Sequence, residues 1–336
     1  MNVVVSEMGA GRTLGTLGAF GLLLVLIGLP LFEATGDSTL FTLTLMFTSL
    51  ALAVNWNLTG GFTGYVDFGH AVWFGIGAYV SAIMVSEQSS LVPQQLPLAA
   101  SLVVGALATG LIANLVGRAV LRLRGPYFAI AMLGFFVFVR EVVRVLRPLT
   151  NGGRGLSLPP SIDRPLWYYI ELGLVVGLVM FTWWLRGTRF GSSLFAIRED
   201  EVGAEMRGID TMAVKLKVFS LSATSTGLFG AMWAHQNTFV DPDIAFVEVR
   251  TLDAVMGTML GGLGTVLGPV LGMSVLFWLR EVLWANFLEF HLILQGVLLA
   301  VIVIYLPKGV MGLLQPGSPL RGSAHVDVPT GSRGDH

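Results

Sequence analysis

Cysteine is missing from this chain, so disulfides, thiol nucleophiles and thiolate metal sites are excluded together, and the redox compartment is left open. Charge is nearly as scarce: Asp, Glu, Lys and Arg make up 12% of the residues, against about a quarter in soluble domains. The net charge of −1 removes any bulk attraction to nucleic acid or to an acidic surface. The five histidines form no H-x-H or H-E-x-x-H pair, so no zinc helix is encoded, and no Lys follows a Gly, which excludes a Walker A lysine. Any coupling to ATP by that route therefore comes from another subunit. With no metal cluster and no nucleophile–base pair visible, a membrane-embedded enzyme is the weakest reading, and neither cofactor nor metal is expected.

What the chain does have is oil. Of its 336 residues 54% are hydrophobic, and the mean hydropathy is +0.75. This composition reads as an all-α polytopic membrane protein. A bilayer core of about 30 Å takes about 20 helical residues. Apolar runs at 14–32, 39–58, 67–85, 97–120, 127–146, 166–185, 214–235, 251–264, 267–284 and 290–306 give about 8–10 transmembrane or half-membrane helices. The segment 67–85 carries Asp67, His70 and several glycines, and 251–264 is too short to cross unaided. The first run reads as a retained helix and not a signal peptide, because no small-residue A-x-A site follows it. Residues 1–12 are expected as a cytoplasmic segment, 13–312 as the membrane domain and 313–336 as a disordered Gly/Pro/Ser-rich tail.

One break interrupts the oil. Residues 186–217 hold six of the twenty Lys and Arg and five of the twenty-one Asp and Glu. The positive-inside rule places this break in the cytoplasm, and counting crossings from it puts both termini there as well. Arg140, Arg144 and Arg147 resist that count, since they fall toward the outer end of their segment; they are expected to pair with acids or snorkel. Within the break, Ser192 or Ser193 is expected to cap a helix. Leu194, Ile197, Val202 and Met206 recur at roughly helical offsets, and Gly208 is expected to stop the helix before Asp210 or Thr211 caps the next. Glu199, Asp200, Glu201 and Glu205 would be repelled by anionic headgroups, so a protein partner fits better than a lipid surface.

Glycine, 42 residues in all, clusters at Gly60-Gly61, from Gly64 to Gly77, and from Gly257 to Gly268. Small residues let helices approach closely in lipid, and they also let backbone unwind where it lines a cavity. One broken segment early and one late is the pattern of two structural repeats. Intramembrane polar groups are functional candidates by default. For Asn57, Asn114 and His70 the first reading is hydrogen bonding between helices and the second a substrate contact. Asp67 either caps a helix or lines the pathway. Asp253, Glu171 and Glu281 are expected to be solvated, and Trp167, Tyr168 and Tyr169 to form an interfacial belt. The candidate translocation path is Asn57, Asp67, His70, Gly75, Gly77, Gly261 and Gly262.

Several of these stretches have a familiar form. Val202-Gly203-Ala204-Glu-Met-Arg-Gly208 resembles the cytoplasmic E-A-A-x-x-x-G loop of ABC importer permeases, preceded by Phe195-Ala-Ile-Arg198-Glu-Asp-Glu201 as in the LivM-type permeases of branched-chain amino-acid importers. Gly64-Tyr-Val-Asp67-Phe-Gly69-His70-Ala-Val-Trp-Phe-Gly75-Ile-Gly77-Ala-Tyr79 resembles that family's G-x-x-S-x-G-H-A-x-F-F-G-x-G-A-Y signature, with Asp67 where Ser or another small polar residue is expected. Thr150-Asn-Gly-Gly-Arg-Gly155, Gly261-Gly262-Leu-Gly264 and Pro307-Lys308-Gly309 are similar to further family motifs. The resemblance implies a permease in the cell membrane, paired with a homologous LivH-type permease, two ABC ATPase subunits and an extracytoplasmic substrate-binding protein. It also implies that loop 190–210 couples to the ATPases through Leu194, Ile197, Arg198, Glu201, Gly203, Ala204 and Gly208. The cargo would be a branched-chain amino acid or a related small polar solute. The competing reading is a stand-alone secondary transporter or channel, with Asp67, His70 and Asp253 as an ion relay.

Overall fold

The computed structural model describes residues 25–31, 36–86, 96–160, 163–286, 293, 296–297 and 309–313. The expected segment 1–12, most of run 14–32, nearly all of run 290–306 and all but the first residue of the expected tail lie outside the described residues. The chain folds as an all-α polytopic membrane protein. Among the described residues its α-helices of five residues or more are α1 (Asp37–Trp56), α2 (Ala71–Val85), α3 (Leu98–Val120), α4 (Pro126–Val145), α5 (Arg164–Arg186), α6 (Arg189–Glu199), α7 (Glu201–Met206), α8 (Thr211–Asn237), α9 (Glu248–Gly261), α10 (Gly268–Asn286) and α11 (Gly309–Leu313). Asp37–Gly61, Leu98–Val120 and Arg164–Arg186 are long and apolar enough to cross a membrane. With 14 residues, α9 rises only about 21 Å, so it cannot span by itself, as its length in sequence implied.

The frame is built on α8. Ser81 on α2 and Ser101 on α3 both reach the His235 imidazole near one end of α8, at 2.9 and 3.2 Å. Near the other end, Lys215 bonds the Leu121 carbonyl. Thus α2 runs parallel to α8 and α3 antiparallel. Close approach is made possible by small residues, as packing in lipid demands. A Cβ at Gly77 would run into the Gly227 backbone, and one at Gly230 into the Phe74 backbone. Gly105 sits between them, its Cβ position 3.0 Å from the Gly77 carbonyl.

The expected segment 67–85 is helical only from Ala71. Asp67 accepts from the Gly69 N–H at 2.9 Å, and Thr251 of α9 accepts from the Ala71 N–H at 2.9 Å, so two free N–H groups at the start of α2 are satisfied from outside the helix. At the opposite end of α8 a two-residue strand, β1 (Leu156–Ser157), pairs antiparallel with β2 (Phe239–Val240). This clip holds the Thr150–Gly155 turn, in which Asn151 adopts the left-handed conformation and donates to the Gly155 carbonyl at 2.9 Å.

Two of the three arginines that resisted the topology count find acids across the fold. Arg140 pairs with Glu248 at 2.7 Å, and Arg144 pairs with Glu141 at 3.0 Å and with Asp243. Two expectations need correction. Glu171 is fully buried and accepts from Thr48 at 3.1 Å and Gln236 at 2.5 Å, because α5 packs that face against α1 and α8. Asp253 is 5% exposed and paired with Arg280. The aromatic trio is corrected as well: Trp167 and Tyr168 are buried, and the Tyr168 and Tyr169 hydroxyls donate to the carbonyls of Leu26 and Ile27, anchoring the helical piece at 25–31.

Candidate functional site

At the end of the frame where α6 and α7 lie, the two Gly-rich breaks meet. The first continues α1 as one wide turn of π-helix, Asn57–Gly61, a distortion that occurs frequently at functional sites. The second is the turn after α9, where Gly262 and Gly264 have φ of 124° and 75°. Asn57 joins them: its amide donates to the Thr265 carbonyl at 2.8 Å, and its oxygen accepts from the Gly264 N–H at 2.9 Å. Gly309, with φ of 65°, packs on Gly262 so closely that an added Cβ would lie 2.5 Å from the Gly262 nitrogen.

The loop 190–210 is seated on this junction by two polar links. Arg198 passes over Gly64 and donates to the Gly61 carbonyl at 2.6 Å; a Cβ at Gly264 would strike its guanidinium. The second link is centred on Lys215, whose side chain is 4% exposed. Its ammonium donates to Glu201 at 2.6 Å, to the Tyr65 hydroxyl at 2.8 Å and to the Leu121 carbonyl at 3.1 Å. The Tyr65 hydroxyl in turn donates to Glu201 at 2.6 Å, and Arg124 lies 3.8 Å from the same carboxylate. Neither Lys215 nor Tyr65 was singled out in the sequence as a site residue, although Lys215 is the rarer event there, a lysine in the first turns of a membrane helix.

These contacts set the Glu201 charge. Burial pushes its carboxyl up, but the hydrogen bonds from Lys215 and Tyr65 and the charges of Lys215 and Arg124 outweigh burial and hold it below the ordinary 4.5. A depressed carboxyl contributes stability that is present above the unfolded value and is lost as pH falls through the folded one. The seat of α6–α7 is therefore expected to hold from pH 7 to below 4.5, with weakening only in more acid solution. Thermal unfolding of the bilayer-embedded protein against pH checks this; weakening that starts near pH 6 would contradict it.

The loop differs in detail from the single helix expected. It is two helices, α6 and α7, parted at Asp200 (φ −158°, ψ 105°). The cap is Thr188, which accepts from the Gly191 N–H at 3.1 Å, while Ser192 and Ser193 bond back to carbonyls one turn earlier. Threonine wins because the chain leaves α5 at Gly187 and needs a cap before a second turn can form. Gly208 (φ 82°) stops α7, and Asp210 caps α8 by accepting from the Ala213 N–H at 2.9 Å.

Of the seven coupling residues, Leu194, Ile197 and Ala204 are buried against the membrane domain, Arg198 and Glu201 make the two links, Gly203 is half-buried beside Asp200, and Gly208 is the exposed stop. The outward apolar groups are instead Val202 and Met206, 50% and 79% exposed, with exposed Glu199, Asp200, Glu205 and Arg207 beside them in the chain and Glu205 paired with Arg124. The helical offsets placed all four apolar positions on one helix. The break at Asp200 turns the second pair away from the first.

The seven candidate path residues fall into two groups. Asn57, Gly261 and Gly262 belong to the junction. Asp67 and His70 are buried together in α2's cap, His70 Nδ1 being 3.5 Å from Asp67 and its Nε2 3.1 Å from the Thr226 hydroxyl, while Trp56 and Trp73 donate to Asp67. Gly75 meets the Phe246 ring, and Gly77 the Gly227 backbone. None of the seven lines the cavity of about 660 Å³ that opens between α1, α8, α9 and α10. Asn114 donates to Ser220 at 3.3 Å, a helix-to-helix contact.

Residues 38–306 match the family described as branched-chain amino acid transport system / permease component. The high-affinity branched-chain amino acid transport system permease protein LivM of Escherichia coli is 28% identical over 335 residues, covering 90% of this chain and 76% of its own length. LivH of the same organism is 24% identical over 293 residues, covering 80% of this chain and 92% of its own. The autoinducer 2 import system permease protein LsrC of Yersinia pseudotuberculosis is 31% identical over 174 residues, which is 46% of this chain and 49% of LsrC. No solved structure matches the chain.

Proposed function

From the premise that this chain belongs to the branched-chain amino acid transport system permease family, we propose that α6 and α7 form the element through which partner ATPases drive the membrane helices. The chain is the permease of an ABC importer and a multi-pass inner-membrane protein. In our reading the α6–α7 end and both termini are cytoplasmic, and the partners are a LivH-like permease, two ATPase subunits and an extracytoplasmic binding protein. The cargo is a branched-chain amino acid or a related small polar solute such as an amide or urea. The permease needs only modest affinity for it, because selectivity lies mostly in the binding protein.

The observation that carries this reading is the double seat of the loop. A displacement of α6 pulls on Gly61 through Arg198, and a displacement of α7 pulls on Tyr65 and α8 through Glu201 and Lys215. Both anchor points lie beside backbone that is already out of α-helical form, so motion of the loop acts on the parts of the frame with the fewest constraints. Val202 and Met206 present an apolar contact with charged residues beside it, which suits a partner groove with a polar rim.

The test is made on the co-purified complex. Met206→Asp should weaken ATPase retention by about tenfold, the loss expected of one central apolar contact. Gly208→Asp and Ala204→Arg should leave the protein in the membrane while uncoupling uptake from ATP hydrolysis. Unchanged uptake and unchanged ATPase coupling in all three variants would sink the assignment.

A further inference from the structure

The 660 Å³ cavity lies within the range of small-molecule sites, and its wall mixes apolar side chains such as Leu52, Met273 and Phe277 with a small number of polar groups. Two arginines line it, Arg250 and Arg280. Arg280 is matched by Asp253, and Asp243 of the same wall by Arg144. Arg250 has no acid paired with it among the described residues. Its guanidinium is 4.5 Å from the Phe74 ring centroid and 4.8 Å from that of Trp233. Among the described residues it makes one hydrogen bond, to the Ile244 carbonyl at 3.3 Å, and its buried Nε has no partner. The two rings and the Ile244 carbonyl hold a cation that keeps unused N–H donors among the described residues.

We propose that Arg250 receives the carboxylate of the cargo in this cavity, so that the site takes small α-carboxylates with an aliphatic body. A guanidinium seated against two rings keeps its paired N–H groups, the geometry that matches a carboxylate bidentately. The apolar wall takes the side chain. Arg280, half-exposed, is held by Asp253, so Arg250 is the wall cation with no paired acid among the described residues, and Glu281 on the same wall stands available to an ammonium group. This assignment rests on the importer reading for the identity of the cargo, and on the cavity alone for the chemistry of the ligand.

Because the chain has no cysteine, a single Ser49→Cys on the same wall gives a clean reporter. The intact complex in nanodiscs is treated with anionic and cationic methanethiosulfonate reagents, with and without L-leucine, isocaproate or leucinamide. Leucine and isocaproate should protect, leucinamide should not, and the ratio of anionic to cationic reaction rates should fall in Arg250→Gln. Arg250→Gln should weaken protection by about tenfold or more, the loss expected for a charged hydrogen-bonding partner. Arg250→Lys, which keeps the charge and serves as the folding control, should retain part of the protection. Equal protection by leucine and leucinamide, protection by neither carboxylate, or full protection in Arg250→Gln would overturn the assignment. If wild-type complex fails to take up leucine but carboxylates still protect the cysteine, the cargo reading falls and the Arg250 site stands.

Discussion

A Lys215→Met variant is expected to lose about 3 kcal/mol of stability at the α6–α7 end and to lose most of its ATP-driven uptake, because methionine fills the space but takes the ammonium from Glu201, the Tyr65 hydroxyl and the Leu121 carbonyl together. The figure stands at the low end for a broken buried pair, since Glu201 is partly open to water and keeps Arg124 nearby. Uptake per ATP hydrolysed should fall by about tenfold, which corresponds to some 1.4 kcal/mol of lost coupling. Adding Glu201→Gln should recover part of the stability, because the carboxylate left unpaired in the single variant is gone, and a double-mutant cycle isolates that term. Uptake should stay low in the double variant if the link itself transmits the motion. A Lys215→Met protein with wild-type uptake and melting would show that the network is ornamental.

The second large effect lies in the frame. Gly77→Val should prevent accumulation of folded protein, because its Cβ meets the Gly227 backbone, and two helix axes must separate to make room. Overpacking of this kind typically costs about 1–3 kcal/mol, and here the rigid neighbour is main chain, so the upper end or beyond is expected. Gly173→Ala on α5 is the contrasting case. Among the described residues nothing lies within 4 Å of its Cβ position, so the exchange should be neutral or stabilise by up to about 1 kcal/mol, the helix-propensity gain over glycine. Membrane yield and detergent melting of the two variants side by side measure the difference. Equal behaviour would mean that α2 and α8 are not held at the separation described.

These two sites show what could be read along the chain. Apolar runs located α1, α3, α4, α5, α8 and α10 to within a few residues, because a helix in lipid must satisfy its own backbone and so declares its length in composition. The polar break at 186–217 announced a water-exposed element for the same reason. Gly208 as a stop and Asp210 as a cap were legible because each acts on its own few neighbours. Thr188 was not, since Ser192 and Ser193 offer the same chemistry and only the exit angle of α5 decides among them.

Partners distant in sequence could not be read in this way. Asp253 and Glu171 looked solvated from their position near segment ends, and their burial depends on Arg280, Thr48 and Gln236, which the fold brings from elsewhere. Likewise the glycine clusters suggested close approach without saying to what. The sequence by itself determined that this protein lives in a bilayer, where its helices lie and where it meets water, because hydrophobicity and local capping are properties of short windows. Only the tertiary structure decided that the two Gly-rich breaks meet through Asn57, that Arg198 and Lys215 tie the loop to that meeting point, and that Arg250 has no paired acid among the described residues, because charges and hydrogen bonds are matched across the bundle and carry no periodicity along the chain.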